Sequence, residues 1–163
     1  MGCVCERPIK SLPGKFDYNH LFIAFWDTAS NVTGYAGARG VGGFIGHQGG
    51  TLVGRIGLFD VDTATDDFTS TPTTIFDQVV QGSCWDLIKL WEADVAKING
   101  MALTYWARGP NSNSFTYTLL QHANLWRVID DVNEWVRAIT PPPVIGLPDI
   151  RMGPFPGWGQ YIL

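Results

Sequence analysis

The segment Gly109-Pro110-Asn111-Ser112-Asn113-Ser114-Phe115 sets four polar side chains directly before an apolar helical pattern formed by Phe115, Leu119, Leu120 and Trp126. A hydroxyl at such a junction lies beside backbone N–H groups that the helix cannot satisfy itself, at the positive end of the helix dipole. That setting stabilises a developing oxyanion, and a serine in it becomes a nucleophile when a base reaches it. The same residues also write an ordinary helix start, because Asn and Ser are preferred N-caps. Caps far outnumber nucleophiles, so residue types alone favour the cap.

Three His are candidate bases. His122 follows Ser114 on the same helix by roughly 12 Å along the axis, at about 1.5 Å per residue, too far to serve a hydroxyl at the helix start. His47 sits in a glycine-rich stretch with nothing to fix it. His20 lies inside the apolar run Tyr18–Trp26, where a buried imidazole needs a polar partner. A helix packed on the His20 face would bring its N-terminus to the ring. A core His bonded to a carbonyl is the competing role, and the residues leave both open. A catalytic site at this junction would use a helix-start hydroxyl, Ser112 or as second choice Ser114, with His20 as base. The helix-start N–H groups with the Asn113 amide would hold the oxyanion, and Asn111 opens the site at the helix start. Asp27 and Tyr35 are near His20 in sequence but neither is placed as a third member. Cys84 also precedes a helix, and a small buried hydrophobe is its better role.

The elements that must position these groups follow from periodicity. Tyr18–Trp26 reads as a strand with two largely apolar faces, hence central in its sheet. Asp27–Asn31 reads as a turn and Val32–Ala36 as the returning strand. Eight glycines between Gly37 and Gly54 form no dinucleotide fingerprint and read as loop or hairpin backbone. Thr51–Val61 is another strand. Asp60, Asp62, Asp66 and Asp67 lack the glycine and terminal Glu of a calcium loop and read as a solvated acidic loop. A helix runs from Ser83, paired with Asp86 in a capping-box pattern, to Gly100. After the apolar link Leu103–Trp106 come the Pro110–Ser114 turn and a second helix. A third reaches from about Leu125 to Ile139, stopped by Pro141, Pro142 and Pro143. Strands first and helices second predict an α+β domain, an antiparallel sheet with helices on one side. We assign residues 1–15 to a flexible N-terminal segment and 16–163 to one domain closed by an extended arm that carries Trp158 and Tyr161.

At 163 residues the chain is one domain by length, and its net charge of -4 with no basic run speaks against nucleic acid as a partner. The odd count of Cys3, Cys5 and Cys84, without ligand spacing, predicts neither disulfide nor zinc, and no cofactor is implied. Thiol titration of denatured, unreduced protein should find all three Cys free; a single free thiol would refute this. Glu6 stands where the myristoylation pattern wants Ser or Thr. No signal peptide and no membrane span are read, which predicts a cytoplasmic protein or one exported without a standard signal.

The order of a strand His followed by Asn-nucleophile-x-x-Phe at a helix start resembles circularly permuted papain-like families. Among them is the lecithin–retinol acyltransferase-like group, whose helix opens with Asn-Cys-x-x-Phe. Asn111, Ser112 and Phe115 match that opening, and His20 matches the strand His. The chain from residue 16 onward also resembles a group of bacterial domains, some joined to toxin-like or polymorphic repeat proteins. The shared segments are His20–Ile23, Gly109–Ser114 and Pro156–Gly159. The resemblance implies a permuted papain-like fold. It also implies a hydrolase or acyltransferase that opens an amide or ester through Ser112 and His20, as a toxin, effector or cell-wall amidase would. Its substrate would be a peptide, a peptidoglycan stem or a lipid ester. One departure matters: Ser112 stands where the papain-like pattern has Cys, and an alcohol ionises far less readily than a thiol. The alternative is a non-catalytic binding or structural module on the same scaffold in a toxin, phage or secretion assembly. Trp26, Trp106 and Trp158 would then line a groove for a protein partner.

Overall fold

A computed structural model describes residues 2–8, 19–26, 32–44, 48–58, 73–78, 84–139 and 157–163. Their elements are β1 (Gly2–Pro8), β2 (Asn19–Trp26), β3 (Val32–Val41), β4 (Thr51–Leu58), β5 (Thr73–Gln78), α1 (Cys84–Gly100), α2 (Ser112–His122) and α3 (Trp126–Ile139). The strands form one antiparallel sheet in the order β4-β3-β2-β1-β5, so β2 is its middle strand. The α+β class and the central position of His20 agree with the sequence. No helix among the described residues is long and apolar enough to cross a membrane.

The helices cover one sheet face for a reason visible in β2. Its odd positions Leu21, Ile23 and Phe25 are all apolar and fully buried. They continue into Ala36, Ala38 and Leu52 on β3 and β4 and form one core with the helices. From α1 come Ile88, Trp91, Val95 and Ile98, at the three- and four-residue spacing of one helix face. From α2 come Phe115, Leu119 and Leu120, and from α3 Val128, Ile129 and Val132. Each such side chain contributes about 1.5–3 kcal/mol through its burial.

Gly54 on β4 has a packing reason. A Cβ there would lie 2.9 Å from Cζ of Phe115 and closer still to Cε2. The ring is fully buried, so making room for a Cβ disturbs the packing around it. Gly54→Ala should therefore lose about 1–3 kcal/mol in a urea melt, the usual cost of overpacking. An unchanged midpoint would show that the ring shifts freely.

Beyond β4, the edge of the sheet is covered. Asn99 on α1 accepts from the Gly54 N–H at 2.7 Å and donates to the Gly54 carbonyl at 3.0 Å, as a neighbouring peptide would. Leu52 N–H donates to the Leu103 carbonyl, and Tyr105 exchanges bonds with Gly49 and Gly50. These bonds close the edge against pairing with another chain.

Four readings of the chain need correction. Gly2–Pro8 is not a loose terminus but a strand between β2 and β5; Cys3, Val4 and Cys5 are strand-compatible residues in it. β3 runs on through Gly37 and Gly40 to Val41, since the Tyr35 ring occupies the place of a Cβ at Gly37. β5 was not foreseen in the Thr-rich run that forms it. Finally, the described helices pack on the other face of β2 from His20, against Leu21, Ile23 and Phe25. His20 and Phe22 share the opposite side of β2, their ring centroids 6.3 Å apart, and Phe22 meets Tyr35 at 5.7 Å. The all-apolar odd face is the stronger driver of helix packing. Asp27, His47, Ser83 and the acidic run from Asp60 to Asp67 lie outside the described residues.

Candidate functional site

Asn111 is the N-cap of α2, with extended backbone (φ -153°, ψ -171°). Its Oδ1 accepts from the N–H of Asn113 at 2.9 Å and of Ser114 at 3.2 Å. Ser114 Oγ closes the capping box by accepting from the Asn111 N–H at 2.7 Å, and it also bonds the Asn111 carbonyl oxygen at 2.9 Å. The Phe115 N–H donates to that same carbonyl. The donors that were to hold an oxyanion are thus largely taken: the N–H groups of Asn113, Ser114 and Phe115 all end on Asn111. Ser114, second choice as nucleophile, has its hydroxyl engaged in the cap.

The helix start is spliced into the sheet. The β2–β3 ladder runs from Trp26↔Val32 to Ile23↔Ala36, and β3 then follows β4 alone to Val41↔Thr51. Had the register continued, Ala38 would have served Leu21. Instead, Leu21 N–H donates to Asn113 Oδ1 at 2.8 Å, and Thr116 Oγ1 donates to the Leu21 carbonyl at 3.0 Å. Two side chains of α2 thereby stand in for a missing strand residue and satisfy backbone groups that would be costly if orphaned. Asn113, expected to assist an oxyanion, has its carbonyl oxygen committed to this splice.

The splice brings the α2 turn carrying Ser112 to the backbone of Leu21, the residue that follows His20, while the His20 ring lies beside Phe22. Access is the difficulty. Ser112 is 1% exposed and His20 4% exposed.

Residues 157–163 lie against the α2 cap and its following turns. Gly157, at φ +80°, is so close to the cap that a Cβ would fall 2.6 Å from Asn111 Oδ1. Trp158 Nε1 donates to Asn133 Oδ1 at 2.9 Å, and its ring meets Tyr117 edge-on at 5.1 Å. Ile162 N–H reaches Thr118 Oγ1 at 3.2 Å. Trp158 is therefore partly buried packing on α2 rather than the wall of an open groove. The Trp26 side chain lies outside the description.

The cap has a second attachment. Asn111 Nδ2 donates to the carbonyls of Trp106 at 3.1 Å and Ala107 at 3.0 Å. Trp106 N–H donates to the Pro110 carbonyl, and Gln48 Oε1 accepts from Ala107 N–H at 2.7 Å. The loop so held presents Trp106, 44% exposed, edge-on to Phe44, 66% exposed, with ring centroids 6.0 Å apart.

Sequence reasoning passed over several of these residues. Thr116 and Thr118 are poor helix formers on an otherwise apolar face, a pattern that signals internal hydrogen bonding. His122 Nδ1, at the far end of α2, pairs with the buried Asp94 carboxylate of α1 and ties the two helices. Among the described residues no group of three or more His, Cys, Asp or Glu stands together as a metal site. Comparison with protein-family models, curated proteins and solved structures finds no match to this chain.

Proposed function

We propose that the chain is a non-catalytic interaction module whose Asn-Ser-Asn-Ser segment acts as a structural clasp. The observation that carries this reading is the double role of Asn111, whose Oδ1 caps α2 while its Nδ2 holds the Trp106 loop. A buried polar network with its members bonded fixes one geometry. Here it fixes a pair of exposed aromatic rings, the residue type that most often anchors a partner. Burial of Ser112 and diversion of the helix-start donors to the cap both weigh against a working nucleophile. The test is an alkyl fluorophosphonate probe, which labels only activated serines. No label on Ser112 is expected, and Ser112→Ala should leave the thermal midpoint and partner binding little changed.

A second reading keeps the papain-like chemistry. Ser112 would attack an amide or ester of a peptide, peptidoglycan stem or lipid, with His20 taking its proton. It draws on the Asn113–Leu21 bond, which brings the Ser112 turn beside the residue that follows His20. In this reading the arm over Asn111 has to withdraw before substrate enters. Probe labelling of Ser112 that disappears in His20→Ala would establish it and displace the first reading.

A further inference from the structure

We infer that the outward stripe of α1, formed by Trp85, Lys89, Glu92 and Ala96, is the seam of a two-fold dimer whose other half is the same stripe of a second copy of this chain. The inference stands apart from the clasp reading, since it uses no residue of the α2 cap or of the Trp106 loop.

α1 turns one side to the core, where Leu87, Ile88, Trp91, Val95 and Ile98 are buried. At about 3.6 residues per turn, Trp85, Lys89, Glu92 and Ala96 fall on a narrow arc away from that side. All four are exposed, and the exposed Ala93 and Gly100 stand beside them. Trp85 is the anomaly of this face. Its indole is 48% exposed, whereas Trp91 of the same helix is fully buried. The ring is nevertheless held, because Lys89 Nζ lies over it at 5.3 Å from the centroid. A large aromatic side chain fixed on the outside of a helix is the kind of anchor that a partner buries. The ammonium over its face still has N–H donors for a carboxylate.

The order of residues makes the stripe complementary to itself. Its members are spaced four, three and four residues apart, the spacing of a seam between two helices. A large and a small side chain stand at the two ends, and opposite charges stand between them. A two-fold axis crossing α1 midway between residues 90 and 91 lays two such helices antiparallel. Trp85 then rests on the partner's Ala96, and Lys89 meets the partner's Glu92. By symmetry each of these layers occurs twice. A parallel pair would set Lys89 on Lys89 and Glu92 on Glu92, so the charges also select the direction. The same charges disfavour other occupants. An acidic segment or a nucleic acid meets Glu92, and a basic segment meets Lys89. A partner has to offer both charges in reversed order, and a second copy does so. The seam is about 16 Å long, at roughly 1.5 Å per residue. That is short for a permanent interface and fits a reversible dimer.

The experiment is sedimentation velocity on the full chain across about 10–500 µM, the range in which a small interface exchanges. A monomer–dimer equilibrium is expected. Trp85→Ala should weaken it about tenfold or more, as loss of an aromatic anchor does. Lys89→Glu and Glu92→Lys each put like charges into both middle layers, and each should weaken the dimer about tenfold. Mixed in equal amounts, these two variants should form a heterodimer, since every middle layer again joins opposite charges. All substituted positions are exposed, and circular dichroism checks that the variants remain folded. A monomer at every concentration, a dimer indifferent to Trp85→Ala, charge reversals without effect, or a mixture that stays monomeric would each overturn the inference. None of these outcomes touches the clasp reading, which stands or falls with fluorophosphonate labelling of Ser112.

Discussion

Phe115→Ala should lower the unfolding free energy by about 3–5 kcal/mol, the range for removing a fully buried aromatic side chain. Phe115 has no exposed surface and sits in the first turn of α2, where it spans from the helix to β4 over Gly54. Part of the loss is transfer free energy and part is the cavity left between helix and sheet. The cavity term gives the prediction a sharper form. Gly54→Ala is harmful only because the ring fills the space where a Cβ would go. In the Phe115→Ala background the same substitution should be neutral or should recover part of the loss. A double-mutant cycle in urea should therefore show a coupling of about 1–3 kcal/mol, within the span measured for residues in contact. Additive effects of the two substitutions would mean that the ring and the glycine do not share this space.

This pair also shows what was legible in the chain. The alternation in Tyr18–Trp26 and the three- and four-residue spacings in α1 and α3 carry the architecture, because the hydrophobic effect acts on faces and faces are periodic. The strand-to-helix order carried the class. The glycines of β3 and β4 misled: a glycine written for close approach of a ring reads the same as one written for a loop, and the partner rings Tyr35 and Phe115 differ in distance along the chain. The face of His20 misled in another way. Alternation shows which residues share a face but not which face the helices will choose. That choice went to the purely apolar triplet Leu21, Ile23 and Phe25. The candidate site was half legible. Asn and Ser announced a helix start, and the cap is there. The diversion of Asn113 and Thr116 into the sheet was hidden, because it depends on where β3 leaves β2, and no local signal records that parting.

Asn111 should be the most consequential polar residue among the described ones, and two substitutions separate its roles. Asn111→Ala removes the acceptor for two helix-start N–H groups and the donor to two loop carbonyls. Loss of an N-cap costs about 0.5–2 kcal/mol. Stranding the two part-buried loop carbonyls adds about 1–2 kcal/mol. The sum expected from a urea melt is about 2–4 kcal/mol, allowing for partial relaxation. Asn111→Ser keeps a capping oxygen but has no amide to reach the loop. It should recover about 1 kcal/mol of that loss, the worth of a typical cap. The loop around Trp106 should nevertheless stay loosened in both variants. Hydrogen exchange of the Trp106 and Ala107 amides then reads the second role apart from the first. These amides bond Pro110 and Gln48, and both bonds rely on the loop shape that Asn111 holds. Faster exchange in Asn111→Ser, despite the restored cap, would tie the clasp to the display of Trp106. Exchange restored together with stability would leave Asn111 a helix cap alone and remove the main support for the proposed module.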